Sequence, residues 1–362
     1  MSQTGELKTY FTKSDSLVIK GIAIVMMLIH HFWGFPEWIV VKEQIMPSPY
    51  ISFIFQSLVF CVVIFSFISG YAYYFTKDKT YTKSLSRILK LLIIYGSVFI
   101  FLMLIGIIFV HHHYTWASLN PYNEEERTVV FDWYIRIYIV FMLFIPLYSR
   151  FGPRNLIAEA LITCILFPAL LFFLTLKISS QGNIFASDIA NLSVWTPCFF
   201  MGFLFGKYNL FEKLEALLFK RVPSSILRYV TAILVFPVML LVNYIFPQIV
   251  NRPYSIPLMP IANLIFAPLC IFSIVYISKN LHTVFIRRVF EELGRVSAFM
   301  WFLHGAFFNY EKNLLQPLLY FPRNPVIVTI WGILICYGSA FILNYLTSGL
   351  LKKISKTNKD YR

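Results

Sequence analysis

The chain has 362 residues, of which 58% are hydrophobic, 19% aromatic and only 13% charged, against roughly 25% charged in an ordinary soluble domain. Its 31 Lys and Arg outnumber 17 Asp and Glu, for a formal charge of +14. With a mean hydropathy of +0.70, too little polar surface remains to coat soluble globules of this size. That excludes a nucleic-acid-binding protein and a secreted disulfide-rich one.

Apolar runs of bilayer-crossing length fall at about 17–35, 51–75, 88–110, 131–148, 155–176, 190–206, 228–247, 258–278, 296–310 and 325–347. They predict an all-α polytopic membrane protein of about ten transmembrane helices. Residues 1–362 read as one membrane domain, with an N-tail over 1–16, the ten-helix bundle over 17–347 and a basic C-tail over 348–362. Lys8, Lys13 and Lys20 before the first run give it the look of a secretory signal. The residues after it, Gly34-Phe35-Pro36-Glu37, offer no cleavage site, so it reads as a retained span. Pro146, Pro168, Pro197, Pro237 and Pro268 lie inside runs, where neighbouring helices satisfy the backbone groups they release. The five cysteines stand singly in apolar surroundings, with no C-x-x-C pair and no adjacent His. They read as small buried hydrophobes.

Alternating the loops between the two sides places 24 of the 31 basic residues on the side of the N-terminus. Six (Lys42, Arg127, Lys177, Arg252, Lys312 and Arg323) fall on the other, and Arg136 lies inside a span. By the positive-inside rule both termini are then cytoplasmic.

Ionisable residues inside spans are costly and point to function. In the first span the 11 steps from Lys20 to His31 rotate by about 1100°, or roughly 20° beyond three turns. The two therefore share a face about 16 Å apart along the axis, and His30 is about 100° off it. A snorkelling lysine with interfacial histidines would look the same. Arg87 and Lys90, three apart at the inner edge of the third span, could join Lys20 in a basic rim for a phosphate-rich ligand, or be ordinary flanking charge. Asp132 and Arg136 are spaced i,i+4 and either neutralise each other, or Asp132 orients a histidine or Arg136 contacts an acyl carbonyl. In the ninth span His304 is either a catalyst or a helix-to-helix hydrogen bonder. Ser66-x-x-x-Gly70 reads as a close-packing motif. His111-His112-His113 diverge too much on a helix to share a metal, and Glu124-Glu125-Glu126 reads as a solvated face.

Together these residues resemble the acyltransferase-3 family of integral membrane acyltransferases. Lys20-x10-His31 is similar to its first-span Arg-x10-His signature. Phe67-Ile-Ser69-Gly70-Tyr71, Ser86-Arg87-Ile-Leu-Lys90 and Trp133-Tyr134-Ile135 resemble its elements in the second, third and fourth spans. Glu292-Leu-Gly294-Arg295-Val-Ser297 followed by Trp301-Phe-Leu-His304 resembles its late pattern. Lys20 and Lys90 stand where arginine is usual, which keeps charge but loses bidentate phosphate geometry. No esterase-like domain follows the tenth span, which favours direct transfer or a separate partner protein.

The resemblance implies a bacterial plasma-membrane enzyme that moves an acyl group, commonly acetyl, from acetyl-CoA or another acyl-CoA. The implied acceptor is a hydroxyl of a surface polysaccharide or its lipid-linked precursor. It further implies no metal and no nucleic-acid partner, only the donor, the glycan and membrane lipids. On that reading His31, Asp132 and His304 are catalytic, and Lys20, Arg87, Lys90, Ser69 and Arg136 hold the donor. An imidazole suits removal of a hydroxyl proton, and it could instead accept the acyl group covalently. A proton-coupled membrane transporter is the rival reading, since it too would use intramembrane His, Asp and Arg.

Overall fold

Local chemistry sets where the helices of the computed structural model begin. It describes residues 10–41, 49–76, 79–111, 115, 118, 133–179, 185–220, 222, 224–249, 252–280, 284–308 and 312–360, with no strand among them. Thr12 and Asp15 cap the first helix reciprocally. The Thr12 amide donates to Asp15 Oδ2 at 2.7 Å, and the Asp15 amide to Thr12 Oγ1 at 3.2 Å. Asn155 Oδ1 accepts from the amides of Ile157 and Ala158, and Asn324 Oδ1 from those of Val326 and Ile327 just after Pro325. Each cap satisfies amides that the first helical turn leaves without a partner.

In chain order the helices are α1 (Lys13–Trp33), α2 (Pro49–Gln56), α3 (Phe60–Tyr74), α4 (Tyr81–Ile105), α5 (Trp133–Phe151), α6 (Leu156–Ala160), α7 (Phe167–Ser179), α8 (Ala186–Lys207), α9 (Leu210–Phe219), α10 (Ser225–Ile249), α11 (Arg252–Asn280), α12 (Val284–Leu303), α13 (Lys312–Tyr320) and α14 (Pro325–Asp360). Short 3-10 turns occur at Pro36–Trp38, Ser57–Val59 and His304–Phe308, and wider π turns at Gly106–Val110 and Leu161–Leu166. Among the described residues, nine helical segments are long and apolar enough to cross a membrane. These nine correspond to nine of the ten predicted spans. The exception is 296–310, whose helix begins earlier, at Val284, and carries Arg287, Arg288, Glu291, Glu292 and Arg295 before its apolar end. The chain then tightens into the 3-10 turn at His304.

The chain divides into two compact units. One comprises Met1–Ala23, Phe60–Lys79 and Leu147–Gly294. Within it α8 is an interior helix, 67% of its apolar window being buried, whereas only 11% of Ser225–Val242 in α10 is. The exposed Ile226, Ile233 and Leu241 suit α10 to lipid contact. α3 and α8 approach through reciprocal glycines. A Cβ on Gly70 would stand 1.9 Å from the Phe199 carbonyl oxygen, and one on Gly202 would stand 1.9 Å from that of Phe67. The close packing expected at Ser66-x-x-x-Gly70 is therefore present, and Gly202 on the facing helix completes it. α1 and α12 repeat the device, with Gly21 against Phe290 and Gly294 against Leu17.

Buried charges in this unit are paired. Arg287 donates to Asp15 at 2.7 Å, to Glu291 at 3.0 Å and to Ser14 at 2.8 Å. Glu159, fully buried, forms an ion pair with Lys207.

The second unit comprises Ile24–Val59, Thr80–Pro146 and Arg295–Arg362. Its α4 and α14 expose Ile100, Leu104, Phe341 and Ile342. The second half of α1 buries Ile24, Met27, Leu28, Phe32 and Trp33.

Candidate active site

In the second unit three histidines gather where α1 ends and the 304–308 turn begins. His31 and His304, 273 positions apart in sequence, have ring centroids 4.7 Å apart, and the His30 centroid is also 4.7 Å from that of His31. His30 and His304 are buried, and His31 is half-buried. Each ring is oriented by a backbone carbonyl. His31 Nδ1 meets the Met27 oxygen at 3.1 Å, His30 Nδ1 the Phe55 oxygen at 3.1 Å, and His304 Nδ1 the Trp301 oxygen. A carbonyl only accepts, so in the neutral rings Nδ1 carries the proton and Nε2 the lone pair. His31 and His304 are thus two oriented bases side by side.

The chain around them is tightly held. Gly34 closes α1, its amide bonding the His30 carbonyl at 2.8 Å. The Gln56 side chain donates to the Gly34 carbonyl at 2.7 Å. Tyr320 donates to the Phe32 carbonyl at 2.8 Å, and the Trp33 indole to Thr329 at 2.9 Å. Gln316, fully buried on α13, is the central tie. Its amide nitrogen donates to the carbonyls of Trp38 (2.9 Å) and Phe307 (2.8 Å), and its oxygen accepts from the Val40 amide (2.7 Å). One side chain joins the loop that follows His31 to the turn that holds His304.

Aromatic rings wall the site. Phe35 and Trp38 stack at 4.1 Å and 13°, and Phe308 lies 5.9 Å from Trp38 and 6.2 Å from His31. On the His304 side, Trp301 packs against Tyr134 (5.1 Å) and Trp133 (6.4 Å). The Trp133-Tyr134 element singled out in the sequence therefore supports the residue whose carbonyl orients His304.

The other expected site residues lie on several helices. Arg87 and Lys90 are half-buried on α4, and Arg136 is half-buried on α5. Lys20 is half-buried on α1 in the first unit. Ser69, on α3 of the first unit, donates its hydroxyl to the Phe65 carbonyl at 2.8 Å. Asp132 lies outside the described residues, as do His112, His113 and the Glu124–Glu126 run. Among the described residues, no three His, Cys, Asp or Glu are grouped to hold a metal ion. Gln316, Phe35, Trp38 and Phe308 went unnoticed in the sequence. The one available signal was an uncharged polar residue, Gln316, inside the apolar stretch Leu314-Leu315-Gln316-Pro317-Leu318.

The acyltransferase-3 family model, described as an acyltransferase domain, matches residues 17–349. No curated protein and no solved structure matches the chain.

Proposed function

Because this chain belongs to the acyltransferase-3 family, it is a multi-pass membrane acyltransferase, and we propose that it transfers acetyl or another acyl group from acyl-CoA to a hydroxyl of a surface glycan or its lipid-linked precursor. The observation that carries the reading is the His31–His304 pair, 4.7 Å apart and each oriented through Nδ1. His31 Nε2 takes the proton of the acceptor hydroxyl as its oxygen bonds to the thioester carbonyl carbon. The carbon–sulfur bond breaks, the electron pair leaves with the coenzyme A sulfur, and His31 returns the proton to that sulfur. His304 places a second basic nitrogen beside the imidazolium while it holds the proton. The aromatic wall keeps bulk water from the thioester.

Lys20, Arg87 and Lys90 are proposed to bind the donor's phosphates, Ser69 and Arg136 to contact the rest of it, and Asp132 to partner a histidine. With the basic residues split 24 to six, the donor enters from the cytoplasm, and the site fits a bacterial plasma membrane.

Transfer of radiolabelled acetyl from acetyl-CoA by detergent-purified protein tests the reading. His31→Ala is expected to lower the rate by on the order of 10²–10⁴ with an unchanged melting profile, while His30→Ala keeps substantial activity. The reverse outcome would reassign the base to His30.

A further inference from the structure

Beside the catalytic pair stands an aromatic surface that proton transfer does not use. Phe35 covers one face of the Trp38 indole at 4.1 Å and 13°, yet Trp38 remains 37% exposed. The His31 centroid is 6.1 Å from Phe35 and 6.2 Å from Trp38. Being nearly equidistant, the imidazole sits at the edge of the stacked pair and not over the indole face. Its plane is within 22° of the indole's. Phe308 closes a third side at 63° to Trp38.

We propose that Trp38, backed by Phe35, is the shelf on which the acceptor's sugar ring lies while its hydroxyl reaches His31; this rests on the glycan-acceptor reading above. A pyranose has an apolar C–H face that packs on an aromatic ring, and hydroxyls around its edge that need polar partners. Trp38 supplies a large flat apolar surface with a fixed orientation. A ring lying on it presents its edge to the imidazole beside the stack. Glu37, exposed on the same 3-10 turn, offers carboxylate oxygens to the remaining hydroxyls.

The way the turn is held separates this role from that of an interfacial anchor. A tryptophan that only marks the membrane boundary needs no defined angle to its neighbours. The Trp38 turn is fixed at three points. The Ile39 amide bonds the Pro36 carbonyl at 3.2 Å, and buried Gln316 grips the Trp38 carbonyl and the Val40 amide. The same Gln316 grips Phe307, next to Phe308. Shelf and base are thus held in register.

The test compares two acceptors with acetyl-CoA as donor: methyl N-acetylglucosaminide, which has a ring to stack, and 1-propanol, which has none. Trp38→Ala is expected to raise the KM for the glycoside roughly five- to tenfold, the size of one aromatic stacking contact. Its melting profile should match wild type, and its loss with propanol should be clearly smaller than that with the glycoside. Trp38→Phe should recover most of the loss. Equal loss on both acceptors would make Trp38 a support for His31 and overturn the shelf, and so would no loss on either. A wild-type enzyme that acylates propanol but no glycoside overturns the glycan reading and the shelf with it. One that acylates neither overturns the assignment of alcohols as acceptors.

Discussion

Replacing Gln316 with alanine removes three hydrogen bonds at once, and their surroundings set the cost. Trp38 and Val40 are 37% and 39% exposed, so water can take over the bonds to their backbone groups. Phe307 is 3% exposed, and its carbonyl is left buried without the donor it had. A buried group stranded in this way costs about 1–3 kcal/mol, and each bond exchanged for water about 0.5–1 kcal/mol, for a total of about 2–5 kcal/mol. The variant should melt clearly below wild type in detergent. Because the clamp holds the loop after His31 to the turn of His304, acyl transfer to a small alcohol should fall by on the order of 10- to 100-fold even below the melting transition. Gln316→Glu preserves shape and the bond from Val40, but turns oxygens toward the carbonyls of Trp38 and Phe307. It should rescue neither quantity. Wild-type melting and rate in Gln316→Ala, or full rescue by glutamate, would refute the clamp.

Arg87→Gln should weaken the apparent affinity for acetyl-CoA while leaving the acceptor KM unchanged, and equal donor affinity in the two proteins removes Arg87 from the donor site. Lys207→Met leaves the fully buried Glu159 without its cation and should destabilise by about 3–5 kcal/mol. Adding Glu159→Gln should restore much of the melting temperature, which an additive double mutant would contradict. In proteoliposomes of one orientation, acylation is expected with acetyl-CoA only on the cytoplasmic face and the glycan only on the other. Transfer confined to vesicles with both substrates on the cytoplasmic side would make this an inner-leaflet enzyme.

Composition and periodicity make the membrane helices legible because a span must be apolar over its whole length, a property any window reads directly. The helix through 296–303 starts well before its apolar run because Arg287 and Glu291 in its first turns are partnered within the protein. Hydropathy scores residues, not partners. His31 and His304 were legible because a titratable ring in an apolar run is conspicuous. Their pairing was not, since it depends on two helices far apart in sequence. The aromatic wall was illegible for the opposite reason. With 38 Phe, 22 Tyr and seven Trp in the chain, no single ring stands out until its neighbours are known. Family membership decides between the acyltransferase and transporter readings, which intramembrane His and Arg alone left open.

The three histidines share one more property that suits the low dielectric around them. In soluble hydrolases a carboxylate commonly orients the catalytic imidazole. Burying that charge in a membrane span is expensive unless it is paired. Here the orienting acceptors are the carbonyls of Met27, Phe55 and Trp301. At Met27 and Trp301 they belong to the helical turn just before the histidine, so the helix itself fixes the tautomer without adding a charge. With Nδ1 so engaged, Nε2 keeps its lone pair for the acceptor's hydroxyl proton. A carboxylate near the ring would stabilise the imidazolium once Nε2 has taken the proton, and an aromatic neighbour shields the base from water and leaves Nε2 open to the hydroxyl. Among the described residues, Phe35, Trp38 and Phe308 stand beside His31 as aromatic neighbours of this kind.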